Sequence, residues 1–324
     1  MNAIAYDRYG SPDVLEFREV DRPAPAADEL LIRVVAASVN KGDHHLMRGS
    51  PWPLRFMSGL RRPKRPILGV DVAGRVEAVG SDVDGFAVGD EVAADLTGSG
   101  FGAFAEYATA KPAATARKPA DVGFDAAATV PTSGATALQA VRDHGGAAPG
   151  QTALVTGAAG GVGSFAVQLA RHLGAAVTAV CRGDKADFVA SLGAERVLDY
   201  RRDDWTADLG RYDLVIDAAA YRPTLRCRRT LKPGGRYVLV GGPFRRFITV
   251  AAFGPMLSKL GHRKVGQMMV RPDAEDLATL LALIDAGHLA PALDRTYPLA
   301  DAAQALRRLE SGEARGKLVL RVAP

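Results

Sequence analysis

Apolar and polar positions change rhythm once along the chain. Over about the first 120 residues, short apolar runs such as "ELLIRVVAASVN" (29–40), "VDVAGRVEAVG" (70–80) and "FAEYATA" (104–110) are broken by Gly, Pro and Asp at near-regular intervals. This punctuation predicts many short strands, in a β-barrel or a mixed-β domain. From about residue 123 short and long apolar segments alternate. "TALVTG", "AVTAVC", "RVLDY", "DLVIDAA" and "RYVLVGG" read as strands, while "VGSFAVQLARHLG", "KADFVASLG" and "RPTLRCRRTLKPGG" read as helices. Such alternation predicts a parallel, doubly wound α/β sheet. Beyond "KVGQMMV" come two helical runs, 273–287 and 299–312, and a closing strand "GKLVLRV" at 316–322. The open edge of the first domain needs a partner, so this strand is expected to return to it. The predicted division is therefore 1–122 with 273–324 for one domain, and 123–272 for an inserted dinucleotide-binding domain.

At 324 residues the chain has room for two such domains. No apolar run reaches the roughly 18 to 20 residues of a membrane span, and Met1–Asp7 has neither a basic start nor an apolar signal core. The expectation is a cytoplasmic protein without a membrane partner. Its two cysteines, Cys181 and Cys227, lie in no C-x-x-C pattern, so neither a disulfide framework nor a cysteine-rich zinc site is expected. The net charge of +5 raises the question of nucleic acid, but the arginines are scattered along the whole chain. An enzyme that binds a polyanionic small molecule accounts for them, and nucleic acid is not an expected partner.

The candidate chemistry starts where the rhythm changes. Between the strand ending at Thr156 and the helix beyond it stand Gly157, Gly160, Gly161 and Gly163. Glycines there let backbone N–H groups approach a pyrophosphate, and the helix from about Val162 adds aligned donors and a partial positive charge. The spacing fits both G-x-x-G-x-x-G and T-G-x-x-x-G-x-G. The second series belongs to short-chain dehydrogenases, in which it opens the chain and a Tyr-x-x-x-Lys pair follows. Here the pair Tyr107 and Lys111 precedes the glycines and sits on a predicted barrel strand, which rejects that reading.

"ASVNKGDHHLMRG" (37–49), "ILGVDVAGRVEAVGSDVDGFAVGDEVAA" (67–94), "GAFAEYA" (102–108), "AAATVPTSGATALQA" (126–140), the glycine loop and "GKLVL" (316–320) resemble the medium-chain dehydrogenase/reductase superfamily. The resemblance is to its zinc-independent quinone oxidoreductase and enoyl reductase branch, which is zeta-crystallin-like. It implies a GroES-like β-barrel catalytic domain beside a Rossmann domain, and a homodimer. Zinc enzymes of the superfamily place a Cys in the Asn40–Asp43 neighbourhood and a Gly-His-Glu where this chain has Gly69, Val70 and Asp71. Those thiols are missing, and His44 and His45 alone do not make a tetrahedral site, so no metal is expected.

About 20 residues past the glycines, NAD-binding folds usually carry an acidic residue for the ribose diol. This chain has Arg182 and Lys185, which suit a 2′-phosphate, with Asp184 between them arguing the other way. In the quinone reductases it resembles, a lysine at this helix start and a tyrosine fifteen residues on bind the adenosine phosphate. Lys185 and Tyr200 match that spacing. The resemblance further implies NADPH as cofactor, Thr136 and the backbone of Val240, Gly241 and Gly242 at the nicotinamide, and Arg315, offset by position, near a phosphate. Ala218–Tyr221 departs from the family's Val-Gly-Gly.

Without a metal, hydride transfer favours an acceptor whose carbon is conjugated to a carbonyl. Asn40 is the candidate amide for orienting substrate or nicotinamide, and His45, in about the place of a family tyrosine, the candidate proton donor. The segment 49–66 is expected at the cleft mouth, with Trp52, Phe56 and Met57 as an apolar wall and Arg55, Arg61, Arg62, Lys64 and Arg65 as a basic rim. Residues 244–260 are a second lining or a dimer edge. The expected function is zinc-independent hydride transfer from NADPH to a quinone or an α,β-unsaturated carbonyl. The alternatives are a metal-free NADP-dependent alcohol dehydrogenase or ketoreductase, and an NADPH-binding structural or RNA-binding protein without turnover.

Overall fold

The computed structural model describes residues 1–322, and the chain divides into two units, 1–135 with 272–324 and 136–271. In the first unit the strands are β1 (Asn2–Ala5), β2 (Glu16–Glu19), β3 (Leu30–Val39), β4 (Asp71–Val79), β5 (Glu91–Asp95), β6 (Tyr107–Ala110) and β7 (Thr115–Arg117). Its early helices are α1 (Lys41–Arg48), α2 (Arg55–Ser58) and α3 (Phe124–Ala127), followed by a π-helical turn, Val130–Gly134. β3 organises the unit: ten residues, LLIRVVAASV, almost all of them buried. It pairs antiparallel with β4, with β6 and, at its far end, with a strand from the other end of the chain. Ile32, Val34, Leu68, Phe104, Leu318 and Leu320 meet in the core beneath it. Burying each such side chain stabilises the fold by about 1.5 to 3 kcal/mol.

The second unit opens with α4 (Ala135–Leu138), which straddles the boundary, and continues through β8 (Thr152–Thr156), α5 (Gly161–His172), β9 (Ala176–Cys181), α6 (Ala186–Ser191) and β10 (Arg196–Asp199). It ends with β11 (Tyr212–Asp217), α7 (Thr224–Arg229), β12 (Leu231–Leu239), α8 (Phe244–Lys259) and β13 (Lys264–Gln267). All six strands are parallel, in the order β10-β9-β8-β11-β12-β13. The strand order reverses at β8, and in such sheets ligands bind at the carboxyl ends of the strands beside that switch. The glycine loop stands there.

α9 (Ala274–Asp285), β14 (Leu293–Pro298), α10 (Ala302–Glu310) and β15 (Lys317–Arg321) complete the first unit. β15 pairs with β3 from Leu318↔Val39 to Arg321↔Ala36 and with β14 on its other side.

Two expectations shift. The first unit extends to Ala135, past the expected boundary at 122, because Thr132 donates its N–H to the Asp71 carboxylate of β4 at 2.9 Å and α3 lies on β3 and β4. The helix expected over 222–235 stops at Arg229. Leu231 already pairs with Tyr212 as strand, the next residues bulge out, and Arg236 resumes opposite Leu214. Among the described residues no helix is long and apolar enough to cross a membrane.

Candidate functional site

The second unit supplies an anion cradle. β8 ends at Thr156, and Gly157 turns the chain in the left-handed region, φ +63. A Cβ on Gly163 would lie 2.2 Å from the carbonyl oxygen of Gly157 and 2.7 Å from Cα of Ala158, so only glycine lets the first turn of α5 sit on the loop. The N-cap of α5 is Gly160, and no side chain caps the helix. Its first-turn N–H groups, from Gly161, Val162 and Gly163, therefore face outward as donors.

Behind the cradle lies a residue that the sequence reading passed over. Asp217, at the end of β11 and 1% exposed, accepts from Tyr237 Oη at 2.8 Å, from the Ala220 N–H at 2.7 Å and from the Thr156 hydroxyl. Burial and this carboxylate push the Tyr237 phenol up, so it stays a donor. The network ties the ends of β8, β11 and β12 together and holds Ala220 at φ +50, where a glycine would sit without strain. The N–H groups of Val240 and Gly241 both point to the Asp217 carbonyl, at 3.0 and 3.3 Å. That segment thus offers a ligand its carbonyl oxygens rather than its N–H donors. Thr136, on α4, is buried.

One edge away, the ends of β9 and β10 bring Arg182, Lys185 and Tyr200 together. The Tyr200 N–H donates to the Cys181 carbonyl at 3.2 Å; its ring is exposed and Lys185 is buried. Arg182 donates to Asp184 at 2.7 Å, and this partner holds the Asp184 carboxyl below its ordinary range. Of the cations expected for a 2′-phosphate, Lys185 is thus buried and Arg182 is paired with a carboxylate. Arg315 is exposed on the first unit just before β15.

The first unit holds a buried polar cluster around Asp71 of β4. Its carboxylate accepts from Ser38 Oγ at 2.8 Å, Asn40 Nδ2 at 2.8 Å, the Thr132 N–H and the Thr132 hydroxyl, and lies 3.4 Å from the ammonium of Lys317 on β15. Lys317 also donates to Asn40 Oδ1 at 2.5 Å and Ser133 Oγ at 3.1 Å. Burial pushes the Lys317 ammonium below its ordinary range, with Asp71 opposing. Asp43, at the third position of α1, accepts the Asn40 N–H at 2.8 Å and the Gly69 N–H at 3.2 Å; burial lifts it to about 7. Asp95 of β5 is lifted to about 6 by burial and by Asp71.

Both catalytic candidates have hydrogen-bond partners within the first unit. The Asn40 amide is engaged on both its atoms inside the cluster. The Nδ1 of His45 lies 2.9 Å from the Ser50 carbonyl, so that nitrogen carries the proton and Nε2 presents a lone pair. Burial and Lys41 lower the ring's pKa despite the Ser50 bond. His44 donates from Nε2 to Glu310 at 2.7 Å. Trp52, Phe56 and Met57, expected as an apolar wall at the cleft mouth, are exposed. Lys317, Asp71, Asp217 and Tyr237 carried a signal that was overlooked, namely polar groups set within or at the end of otherwise apolar strands. Among the described residues no group of three or more His, Cys, Asp or Glu is placed to hold a metal ion.

Residues 26–120 match the alcohol dehydrogenase GroES-like domain, and residues 192–320 match the zinc-binding dehydrogenase model. The chloroplast envelope quinone oxidoreductase homolog of Arabidopsis thaliana is 34% identical over 99% of this chain and 98% of its own length. The chain belongs to the quinone oxidoreductase branch of the medium-chain dehydrogenase/reductase superfamily. The NADPH-dependent alkenal/one oxidoreductase of the same plant is 32% identical over 99% of this chain and 79% of its own. Among solved structures of this family, the quinone oxidoreductase from Coxiella burnetii superposes with a TM-score of 0.90, at 32% identity over 100% of this chain and 99% of that one.

Proposed function

We propose that this quinone oxidoreductase homologue is an NADPH-dependent reductase that passes hydride to a quinone or to an α,β-unsaturated carbonyl, and that it works without a metal. The observation that carries the reading is the uncapped N-terminus of α5 above Gly157 and Gly163, with Arg182, Lys185 and Tyr200 at the neighbouring strand ends. In this reading Gly157, Gly160, Gly161, Val162 and Gly163 hold the pyrophosphate and Arg182, Lys185 and Tyr200 the 2′-phosphate. Thr136, Val240, Gly241 and Gly242 flank the nicotinamide end, and Arg315 is taken as a further phosphate contact. Once bound, the dihydronicotinamide supplies a hydride.

What the chain does is hold, orient and exclude. Asp217 and Tyr237 fix the loop of Ala218–Tyr221, and the cluster of Asp71, Asn40 and Lys317 fixes α1 against β4 and β15. The metal-free reading rests on Lys317, whose ammonium already balances Asp71 where a cation would otherwise be wanted. Hydride addition to a quinone leaves a hydroquinone anion, which takes its proton from water, so no side-chain donor is required. The domain assignment follows the two units, with the barrel unit taken as the catalytic one. A homodimer is proposed through β13, which closes the six-stranded sheet, and the exposed Ile248, Phe253 and Met256 of α8. Two buried, unpaired thiols, Cys181 and Cys227, suit a reducing compartment such as the cytoplasm.

The test is a panel of quinones, enones, enoyl thioesters and saturated ketones, assayed with NADPH and NADH side by side. Oxidation of NADPH by the conjugated acceptors is expected, with saturated ketones inert. Equal turnover of a saturated ketone favours the ketoreductase alternative; tight NADPH binding with no turnover favours the non-enzymatic one. Arg182→Ala with Lys185→Ala should raise KM for NADPH at least about tenfold while barely moving that for NADH. Equal losses for both overturn the phosphate assignment.

A further inference from the structure

One short element of the first unit is inside out. Trp52–Leu54 forms a tight turn that runs straight into α2. Its charged residue faces inward: Arg55 Nε donates to the Gly49 carbonyl at 2.9 Å, and the guanidinium lies 4.5 Å from the Tyr9 ring. Tyr9 pins the element from beneath, its hydroxyl donating to the Gly59 carbonyl at 2.6 Å and lying 2.9 Å from Ser58 Oγ. The large apolar side chains face water instead. Trp52 is 59% exposed, Phe56 61%, Met57 81% and Leu60 55%, with the Trp52 and Phe56 rings stacked edge to face. Arg61, Arg62, Lys64 and Arg65 follow at once, all exposed. No Asp or Glu occurs between Asp43 and Asp71, and among the described residues none of these four cations forms an ion pair.

We propose that this face docks on an anionic phospholipid bilayer, with Trp52, Phe56, Met57 and Leu60 entering the boundary between headgroups and acyl chains and Arg61, Arg62, Lys64 and Arg65 meeting lipid phosphates. Arg65 lies over the Phe101 ring and Arg62 feels the charge of Asp7, but a pinned element with a tryptophan-led apolar face and an adjoining cationic stretch without ion pairs matches both chemical layers of such a surface. The docking is peripheral, since no described helix spans a membrane. It revises the sequence-based expectation of no membrane partner, and it does not depend on which acceptor the enzyme reduces.

The experiment uses the full chain with vesicles of phosphatidylcholine, with and without phosphatidylglycerol. Trp52 and the buried Trp205 are the only tryptophans, so a shift in emission reports Trp52. Co-sedimentation and a blue shift are expected with phosphatidylglycerol vesicles, reversed by salt and absent with phosphatidylcholine alone. Arg61→Ala with Arg62→Ala should weaken partitioning about 25-fold, roughly fivefold per cation. Phe56→Ser with Met57→Ser should weaken it by at least about tenfold with every cation retained. All four side chains are exposed or surface-borne, and unchanged circular dichroism verifies that each variant folds. Equal binding to both vesicle types, no binding, or binding indifferent to either pair overturns the proposal. Binding to poly-glutamate without binding to vesicles overturns it in favour of an acidic protein partner.

Discussion

Gly163 and Gly160 stand three residues apart in one loop, yet they answer to different constraints. A methyl group on Gly163 meets the backbone of Gly157 and Ala158, at 2.2 and 2.7 Å, and backbone there cannot move cheaply. Gly163→Ala should therefore lower the stability of the free protein by about 1 to 3 kcal/mol, as well as weakening NADPH. Gly160 has φ −89 and ψ 177, a conformation open to alanine, and its nearest contact would be 3.3 Å away. Gly160→Ala should change unfolding by less than about 0.5 kcal/mol and still weaken NADPH at least about tenfold, because its methyl occupies the approach to the helix N-terminus. Urea denaturation without cofactor, set beside a fluorescence titration with NADPH, separates the two. A Gly160 variant that binds as tightly as the parent protein removes the loop from the cofactor site. This loop was legible in the sequence because its demands are made by the backbone of neighbouring residues. The surroundings of Asn40 and His45 were not legible, for the opposite reason. Their roles depend on hydrogen-bond partners, and one of these, Lys317, lies 277 residues from Asn40.

Strands and helices were legible wherever an apolar run or an apolar spacing records the burial of an element. β3, β4, α5 and α9 follow that rule, each ending where a turn residue or a cap interrupts the pattern. The junction of α7 and β12 was not, since Pro233, Gly234 and Gly235 read as a helix stop but form a bulge within strand pairing. β15 shows what spacing leaves out. Its buried leucines and valine announce a strand, but Lys317 at its head carries an ammonium into the unit's core. Removing it alone strands Asp71 as an uncompensated buried charge, so Lys317→Met should cost about 3 to 5 kcal/mol. Asp71→Asn in the same chain should recover at least about 1 kcal/mol relative to the sum of the single changes. Denaturant unfolding of the four proteins in the cycle measures the coupling, and strict additivity would show that the two groups do not act on each other.

Across the molecule, the buried acids give stability an unusual dependence on pH. Asp95 has its folded pKa raised to about 6, so between about pH 4 and 6 the native state holds more protons than the unfolded chain. Stability from this group therefore falls as pH rises through that window and is at its lowest above it; Asp43, raised to about 7, acts in the same direction. The carboxylates of Asp7 and Asp13, held low by hydrogen bonds to Arg18 and to Ser11 and Arg307, work in the opposite sense but below about pH 4. Asp95→Asn should thus gain about 1 to 3 kcal/mol relative to the parent protein between pH 4 and pH 7, measured by urea unfolding at each pH. A difference that stays flat across that range would place the Asp95 carboxyl at its ordinary pKa. The two-unit plan was visible in the change of apolar rhythm near residue 123, whereas its true seam at 135 depends on Thr132 reaching Asp71, a contact without periodicity.

The return of β15 to β3 also sets an order of events on the ribosome. A nascent chain grown to residue 271 already contains every strand of the six-stranded sheet, yet β14 and β15 have still to be made. Throughout that interval Asp71 has its hydroxyl and amide donors within reach but no ammonium, and one edge of β3 stands bare. The barrel unit begins first and finishes last, leaving its central carboxylate without a counter-charge for most of the chain's synthesis.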